Sequence, residues 1–454
     1  MDLSVARDRE SLGQFYWRQL CDDVLPFWFP RCLDHEHGGY LHCVDRDGAV
    51  VDTDKSVWAH GRMSWLMLML HQQFEPRDEW RQWGEHGLRF LEQHGFDDDG
   101  RMFFHWTREG RAVRKRRYAY SESFAAIAYA AHAAVTQSEA SSERARELFL
   151  RFLDWNFTPG RMPAKATDER PTLGLAPRMI AIVTAQELRE CLGADEHFDR
   201  VIETYIDQIA SLFWHPEQRA VMESVSPTGQ ILDHFDTRVI NPGHAIEAAW
   251  FILREADHRN REDWLRLGCE MLDAMWERGW DREYGGLFYF RDVFDRPVQE
   301  YWHEMKFWWP HDEALIATLY AYRLTKETRF AQRHELLREW AFQHFGDPAC
   351  GEWYGYLRRD GTPSSSLKGN LWKSCFHHPR RAGLVPSAVA ELGLAANQSR
   401  VSNDRRKARH AVAGEGKEAV LTLFSCCVLL HGAKRNCSWR NDLAAWLRSR
   451  RISR

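Results

Sequence analysis

The segments EHFDRVIETYIDQIASLF (residues 196–213) and HAIEAAWFIL (residues 244–253) show the alternation that decides the fold. In the first, apolar residues recur three and four positions apart with charges between them, which predicts a helix with one exposed face. The second is apolar nearly all round, which predicts a helix buried on all sides. The two kinds alternate along the chain, and a long connection always follows the amphipathic kind.

The long connections resemble β-hairpins and recur with a regular spacing. Their starts are roughly 60 to 70 residues apart, which is typical of a repeated supersecondary unit. The third is the weakest match to the others. The six begin at His35, Asp97, Gly160, Glu217, Glu283 and Cys350.

Six such units predict an all-α (α/α)6 barrel, with six amphipathic helices around six apolar ones and hairpin-like crossovers on the active-site face. The barrel is assigned to residues 1–394. An open superhelical solenoid is the alternative, but the apolar helices are poorly suited to line an exposed concave surface. The predicted helices lie near 10–31, 54–72, 78–94, 118–135, 142–155, 174–192, 197–213, 243–257, 262–278, 309–325, 329–345 and 378–393.

Composition limits the partners of the protein. The net charge is -4, so no overall positive field invites nucleic acid or an anionic membrane. The longest apolar run, at 419–430, is shorter than the ~20 residues of a spanning helix. The N-terminus has no apolar signal region and the ten cysteines form no CxxC pair, which favours a cytoplasmic protein with reduced thiols.

The C-terminal segment differs in charge from the rest of the chain. Residues 391–454 contain 13 Lys and Arg against 5 Asp and Glu. Residues 395–454 are therefore interpreted as a basic, poorly ordered tail. Pro386 and Gly393 weaken the helical pattern that leads into it.

A barrel of this kind brings polar residues together at one end. Because the apolar helices run parallel, their N-termini and the six crossovers share one face and form a pit, where helix N-termini suit a developing oxyanion. An unpaired ion inside an otherwise uncharged helix costs several kcal/mol, so ionisable groups at such positions indicate a functional site. The candidates at this level are Arg62, Tyr120, Glu122, Arg178, His244, Glu247, Trp309, Glu313 and His377.

His244 and Glu247 are three residues apart on one helix, so the carboxylate can orient or charge-stabilise the imidazole. Metal ligation is the competing interpretation. No HExxH motif occurs and no Walker A or GxGxxG pattern has the right context, so neither a metal nor a nucleotide cofactor is predicted. Aromatic residues at loop or helix-start positions suit the apolar face of a sugar: Trp308, Trp309, Trp353, Tyr354 and Trp372.

Four stretches resemble the N-acylglucosamine 2-epimerase family, which also includes cellobiose 2-epimerases and related aldose isomerases. The resemblance covers about residues 10–381 and implies an (α/α)6 barrel and proton transfer at the sugar carbon next to the carbonyl. The NPGHAIEA form favours the N-acylglucosamine branch. The stretches are VINPGHAIEAAWFIL, MKFWWPHDEALIATLYAY, GEWYGYLRRDGTP and SLKGNLWKSCFHHPR.

The resemblance also implies roles for individual residues. His244 and His377 match the two histidines that serve as acid and base, and Arg62 matches the arginine that polarises the carbonyl oxygen. Glu247 and Glu313 match the carboxylates beside the site. Sugar contacts are expected from Tyr120, Trp309 and Trp372, and Glu122 and Arg178 are predicted to bind substrate from the same level of the pit.

The predicted function is interconversion of N-acetylglucosamine and N-acetylmannosamine, with the open-chain sugar inverted at C2 by two histidines. No cofactor is required, and ATP is expected only as an effector. A homodimer is compatible with this interpretation. The alternatives are epimerisation or aldose–ketose isomerisation of mannose, glucose or a β-linked disaccharide, glycoside hydrolysis by Glu122, Glu247 or Glu313, and a non-catalytic binding protein.

Overall fold

The structure is a computed structural model that describes residues 6–115, 119–163 and 166–380. Its helices follow the predicted alternation, and most ends agree with the sequence prediction within three residues. They are α1 (Ala6–Arg18, continued by a π-helical turn at Gln19–Val24 and by Leu25–Trp28), α2 (Val57–Gln73), α3 (Asp78–His94), α4 (Tyr120–Thr136), α5 (Glu139–Phe157), α6 (Ala176–Leu192), α7 (Glu196–Gln208, continued by a π-helical turn at Ile209–Phe213), a short helix at Phe235–Arg238, α8 (Pro242–Arg259), α9 (Glu262–Gly279), α10 (Trp308–Thr325), α11 (Thr328–Phe345) and α12, which begins at residue 377.

The even-numbered helices form the inner layer and the odd-numbered helices the outer layer. Helix α2 packs on α4, α4 on α6, and α8 on α10, while each also packs on the outer helix that follows it. Gly61 permits the approach of α2 to α4, because a Cβ there would lie 2.5 Å from the carbonyl oxygen of Phe124. The inner helices are buried nearly all round, as their sequences predict.

The ring of inner helices is closed rather than open. The start of α12 lies between α10 and α2, since Arg380 hydrogen-bonds to Glu313 of α10 and the Phe376 ring lies 5.7 Å from that of Trp65 in α2. These contacts confirm the (α/α)6 barrel and exclude the solenoid. The predicted tail 395–454 and the segment with Pro386 and Gly393 lie outside the described residues.

Among the described residues, short antiparallel strands connect four of the crossovers to the one that follows. In each case a two-residue strand at or just before the start of an inner helix pairs with a strand of the following crossover, which holds the rim of the pit together. The pairs are Lys55–Ser56 with His105–Trp106, Leu173–Gly174 with Ser224–Val225, Val239–Ile240 with Arg291–Asp292, and Lys306–Phe307 with Tyr356–Leu357. Ala112–Arg114 extends the first pair, and two local hairpins join Cys43–Val44 to Val50–Asp52 and Trp214–His215 to Ala220–Val221.

Within the described residues, three ion clusters, each with a buried aspartate and a buried lysine, also join neighbouring crossovers. In each cluster, the aspartate accepts from a lysine later in its own crossover. It also accepts from an arginine in the turn of another crossover. Asp34 contacts Lys55 (2.9 Å) and Arg108 (3.0 Å), Asp281 contacts Lys306 (3.0 Å) and Arg359 (2.9 Å), and Asp347 contacts Lys368 (3.1 Å) and Arg46 (2.7 Å). The Arg46 pair connects the first crossover to the last.

No helix in the described part of the chain is both long enough and apolar enough to cross a bilayer.

Candidate active site

Both predicted histidines lie at the N-terminal end of the inner helices, where the sequence predicts the pit. His244 is the third residue of α8, whose start is fixed by Pro242 and by the Asn241 side chain, which accepts from the His244 N–H at 3.1 Å. His377 is the first residue of α12. Their rings lie 4.9 Å and 6.0 Å from the ring of Trp309, the second residue of α10. Three inner helices therefore bring the two imidazoles to one indole.

His244 is paired with a carboxylate through one ring nitrogen. Its Nδ1 lies 3.0 Å and 3.1 Å from the two carboxylate oxygens of Glu223. With Nδ1–H as the donor, Nε2 remains for a substrate. Burial lowers the pKa of His244, but the charges of Glu223 and Glu247 outweigh it, and the net shift is upward.

His377 is also paired through Nδ1, but in a different electrostatic environment. Its Nδ1 donates to Glu313 at 2.7 Å, and Glu313 also accepts from Trp250 (2.9 Å) and from Arg380. Burial lowers the pKa of His377 to about 4, and the charges of Arg62 and Arg380 also lower it. The hydrogen bond and charge of Glu313 oppose this shift but do not outweigh it. This imidazole is therefore neutral near pH 7.

The Arg62 guanidinium lies among aromatic rings at the same end of the barrel. The guanidinium carbon lies 4.0 Å, 4.7 Å and 5.2 Å from the ring centroids of Phe124, Phe376 and Trp58. Its buried Nε has no hydrogen-bond partner among the described residues. Burial and the charge of Arg380 lower its pKa to about 9. An enclosed donor of this kind suits an oxygen of a bound ligand.

Two residues of the site, Glu223 and Arg380, were not predicted from the sequence. Their contacts change the predicted role of Glu247. Glu247 was interpreted as the partner of His244, but it accepts from Arg380 at 3.0 Å, and Glu223 takes the place beside the imidazole. Arg380 lies one helical turn after His377, a spacing that could have identified it. Glu223 lies in the fourth crossover, and no local spacing relates it to α8.

An aromatic wall lies beside Arg62. Trp372 is 39% exposed, and its ring lies 5.3 Å from each of the rings of Trp58 and Phe104. The Tyr120 ring lies 6.3 Å from that of Trp58. The predicted sugar-contacting residues Tyr120 and Trp372 thus lie on the Arg62 side of the pit, and Trp309 lies between the histidines.

Two residues predicted to contact substrate, Glu122 and Arg178, hydrogen-bond to neighbouring segments of the chain. Glu122 is fully buried and accepts from Arg101 Nε (3.1 Å) and from the Met102 N–H (3.0 Å). Arg178 donates to Gln208 (2.8 Å) and to the Gly174 carbonyl (2.8 Å). Both side chains tie an inner helix to neighbouring segments, because a buried charge requires such partners.

The other predicted aromatic residues divide between site and core. Trp308 lies beside His377, with ring centroids 6.1 Å apart. Trp353 is fully buried and stacks on Phe345 at 5.3 Å, so it belongs to the core. The Tyr354 ring lies 4.1 Å from Lys368 Nζ, outside the cluster of histidines.

Three acidic and imidazole groups of the pit have the spacing of a metal site. Glu247, Glu313 and His377 each offer a ligand atom, and these atoms lie within 4.8 Å of one another. The Arg380 guanidinium contacts both carboxylates, so a cation already balances them. The same contacts leave these carboxylates poorly suited to act as the acid and base of a glycoside hydrolase.

Solved structures identify the class of the fold. The cellobiose 2-epimerase of Bacillus thermoamylovorans B4167 superimposes with a TM-score of 0.73 at 19% identity, over 83% of this chain and 99% of that one. The protein is thus an (α/α)6-barrel of the type found in that enzyme.

Sequence comparison identifies the family. The family model described as N-acylglucosamine 2-epimerase (GlcNAc 2-epimerase) matches residues 39–382. The N-acylglucosamine 2-epimerase of Bos taurus is 34% identical over 82% of this chain and 90% of its own, and the cellobiose 2-epimerase of Dictyoglomus turgidum is 23% identical over 84% and 98%. The chain belongs to the N-acylglucosamine 2-epimerase family and is an enzyme of the isomerase class.

Proposed function

We propose that the protein interconverts N-acetylglucosamine and N-acetylmannosamine by moving the C2 proton of the open-chain sugar. The observation that carries this proposal is the pair of imidazoles on one indole, each with Nδ1 on a carboxylate and Nε2 left for substrate. Two bases on opposite faces of C2 invert that carbon.

The proposed reaction uses groups of the chain for each step. One imidazole takes the C2 proton, and the C–H electron pair forms a C1–C2 double bond while the C1 oxygen gains negative charge. Arg62 and the helix N-termini stabilise that oxygen. The other imidazole then returns a proton to the opposite face of C2, and the carbonyl re-forms.

The N-acetyl sugar is favoured over other substrates by the relatives. Those named N-acylglucosamine 2-epimerase are 33–34% identical, whereas those named cellobiose 2-epimerase or D-mannose isomerase are 20–23% identical. Because the reacting carbons of these sugars are the same, the acetamido group must be recognised by residues around C2.

Proton NMR of the anomeric signals tests the substrate. The protein is incubated separately with N-acetylmannosamine, mannose, glucose and cellobiose, with the His244→Asn variant as the matched control. We expect N-acetylglucosamine to accumulate only from N-acetylmannosamine. Activity restricted to unacetylated sugars would replace the proposed substrate, and a ketose product would replace epimerisation by isomerisation.

The scheme requires neither a redox cofactor nor a nucleotide, because acid, base and oxyanion stabiliser are all side chains. We expect turnover to persist after dialysis against EDTA. ATP should change the rate or the stability, but should not be consumed. Loss of turnover after EDTA that divalent metal restores would contradict this part of the proposal.

A further inference from the structure

The two carboxylates that orient the histidines differ in what else they contact. Glu313 is shared between His377, Trp250 Nε1 and the guanidinium of Arg380. Glu223 directs both oxygens to His244, and no ion pair between Glu223 and a lysine or arginine is found in the described part of the chain. One imidazole therefore faces a neutralised carboxylate, and the other faces a carboxylate whose negative charge is not balanced by a cation.

Glu223 is held firmly where it meets His244. It lies between the strands Ala220–Val221 and Ser224–Val225, each of which is paired with a neighbouring strand. Its own carbonyl accepts from the Leu175 N–H at 3.0 Å at the entry to α6. The carboxylate is thus placed by the rim of the barrel, independently of α8, which carries the histidine.

The charged groups around the two imidazoles differ as their carboxylate partners do, because, within the described residues, cations lie only near His377. Glu223 and Glu247 are the charges that act on His244, and both favour its cationic form. Glu313 favours the cationic form of His377, but Arg62 and Arg380 oppose it. Pairs of titratable groups whose environments separate their proton affinities mark the acid and the base of a reaction.

We propose that Glu223 is a positioning residue of the epimerisation: it fixes His244 with Nε2 available to substrate and favours its cationic form, so that, for the epimer whose C2 proton faces His377, His244 starts as the acid and His377 as the base. This inference rests on the proposed function. For that epimer, His377 Nε2 takes the C2 proton and His244 Nε2–H supplies a proton to the other face, and the opposite epimer reacts through the same states in reverse.

After one turnover, the positive charge has moved from His244 to His377, which lies near Arg62 and Arg380. That state is unfavourable, so His377 releases its proton to water and His244 takes one up. Solvent protons therefore enter in every cycle.

Histidine NMR tests the electrostatic part of the proposal without requiring activity. Long-range ¹H–¹⁵N spectra of ¹⁵N-histidine protein, assigned with His244→Asn, give the pKa of His244. An opposite charge within about 4 to 6 Å shifts a pKa by about 1 to 3 units, so Glu223→Gln should lower the pKa of His244 by that amount. Glu217→Gln, an exposed glutamate of the same crossover, should leave it unchanged.

The pH dependence of kcat/KM tests the catalytic part. The base His377 must be neutral and the acid His244 cationic, so the profile rises through the lower pKa and falls above the higher one. In Glu223→Gln, the upper limb should move to lower pH by about 1 to 3 units, with about a tenfold loss at pH 8 for each unit. Glu223→Asp keeps the charge and should restore part of the upper limb.

The outcomes separate this inference from the proposed function. An unchanged pKa of His244 in Glu223→Gln, or a wild-type His244 that titrates below His377, overturns the inference. A shifted pKa with an unchanged kcat/KM profile overturns the assignment of His244 as acid. Absence of epimerisation in the wild type overturns the proposed function while the NMR result still stands. If Glu223→Gln does not fold, the titration of Glu223→Asp decides, because a shorter acid with no effect on His244 contradicts the proposal.

Discussion

At the scale of single residues, the site is built from charges that interrupt apolar helices. This is why Arg62, His244, Glu247 and Glu313 could be predicted from the sequence, whereas His377 was predicted from its position in CFHHPRR and from the family resemblance. Their partners could not be assigned in the same way, because Glu223 reaches His244 from a separate crossover, and local spacing suggested Glu247 instead. Contacts between distant segments depend on tertiary placement, which periodicity does not encode.

Replacing either histidine by asparagine should separate the two proton transfers. His244→Asn and His377→Asn should each lower turnover by about 10² to 10⁴, the usual contribution of a general acid or base. Each variant should still exchange the C2 proton of one epimer with D2O, because the remaining imidazole reaches one face. Circular dichroism should stay helical. Near-normal epimerisation in both variants would exclude the two-histidine scheme and leave Glu247 and Glu313 as candidates.

The two arginines of the pit, Arg62 and Arg380, should respond differently to removal of their charge. Arg62→Met should lower turnover by about 10² to 10³ because an oxyanion donor is lost, and should lower the melting temperature less than Arg380→Met, since its Nε has no described hydrogen-bond partner and its guanidinium contacts aromatic rings. Arg380→Met should destabilise the protein by about 3 to 5 kcal/mol, because Glu247 and Glu313 lose their shared cation. Equal losses of stability, measured by thermal unfolding, would show that Arg62 is structural.

At the scale of elements, helices were predictable and the connections between crossovers were not. Each helix has its own apolar pattern, so α3 was predicted with both ends correct. The ion cluster of Asp347 depends on Arg46, which lies 301 residues away. Strands of two residues carry no readable alternation, and their pairing is visible only once the inner helices are in place.

The cluster around Asp281 should make the barrel sensitive to the loss of one charge. Asp281→Asn leaves Lys306, which is fully buried, without a counter-charge, so we expect a loss of about 3 kcal/mol or more in unfolding free energy. Asp263→Asn is the matched control, because its pair with Arg261 is exposed and such pairs contribute about 0–1 kcal/mol. Similar melting temperatures for the two variants would contradict a structural role for the buried cluster.

The same clusters predict how stability depends on pH. Burial opposes the charge of Asp281, but hydrogen bonds from Arg359 and Lys306 lower its pKa to about 2, and Asp34 and Asp347 shift in the same direction. A carboxyl with a lowered folded-state pKa stabilises the protein above its unfolded pKa of about 3.9, and this contribution disappears as pH falls through the folded value. The melting temperature should therefore fall between about pH 4 and pH 2, and less steeply in Asp281→Asn.

At the scale of the whole molecule, the number of units predicted a closed ring, but not the contacts that close it. Val44 and Gly369 exchange two backbone hydrogen bonds of 3.1 Å, and Arg46 joins Asp347, so the first and last crossovers meet directly. The closing segment also carries His377 and Arg380. The segment that closes the barrel therefore also completes the site.

Truncation tests how much of the chain this closure requires. The described closing contacts all lie before residue 381, so a chain ending after Leu394 should keep its melting temperature and its turnover nearly unchanged. A chain ending after Cys375 lacks His377 and Arg380, leaves Glu247 and Glu313 without their cation, and should lose both activity and cooperative unfolding. Calorimetry and the NMR assay compare the two. A large fall in the melting temperature of the chain that ends after Leu394 would instead show that residues 395–454, with the apolar run at 419–430, belong to the folded barrel.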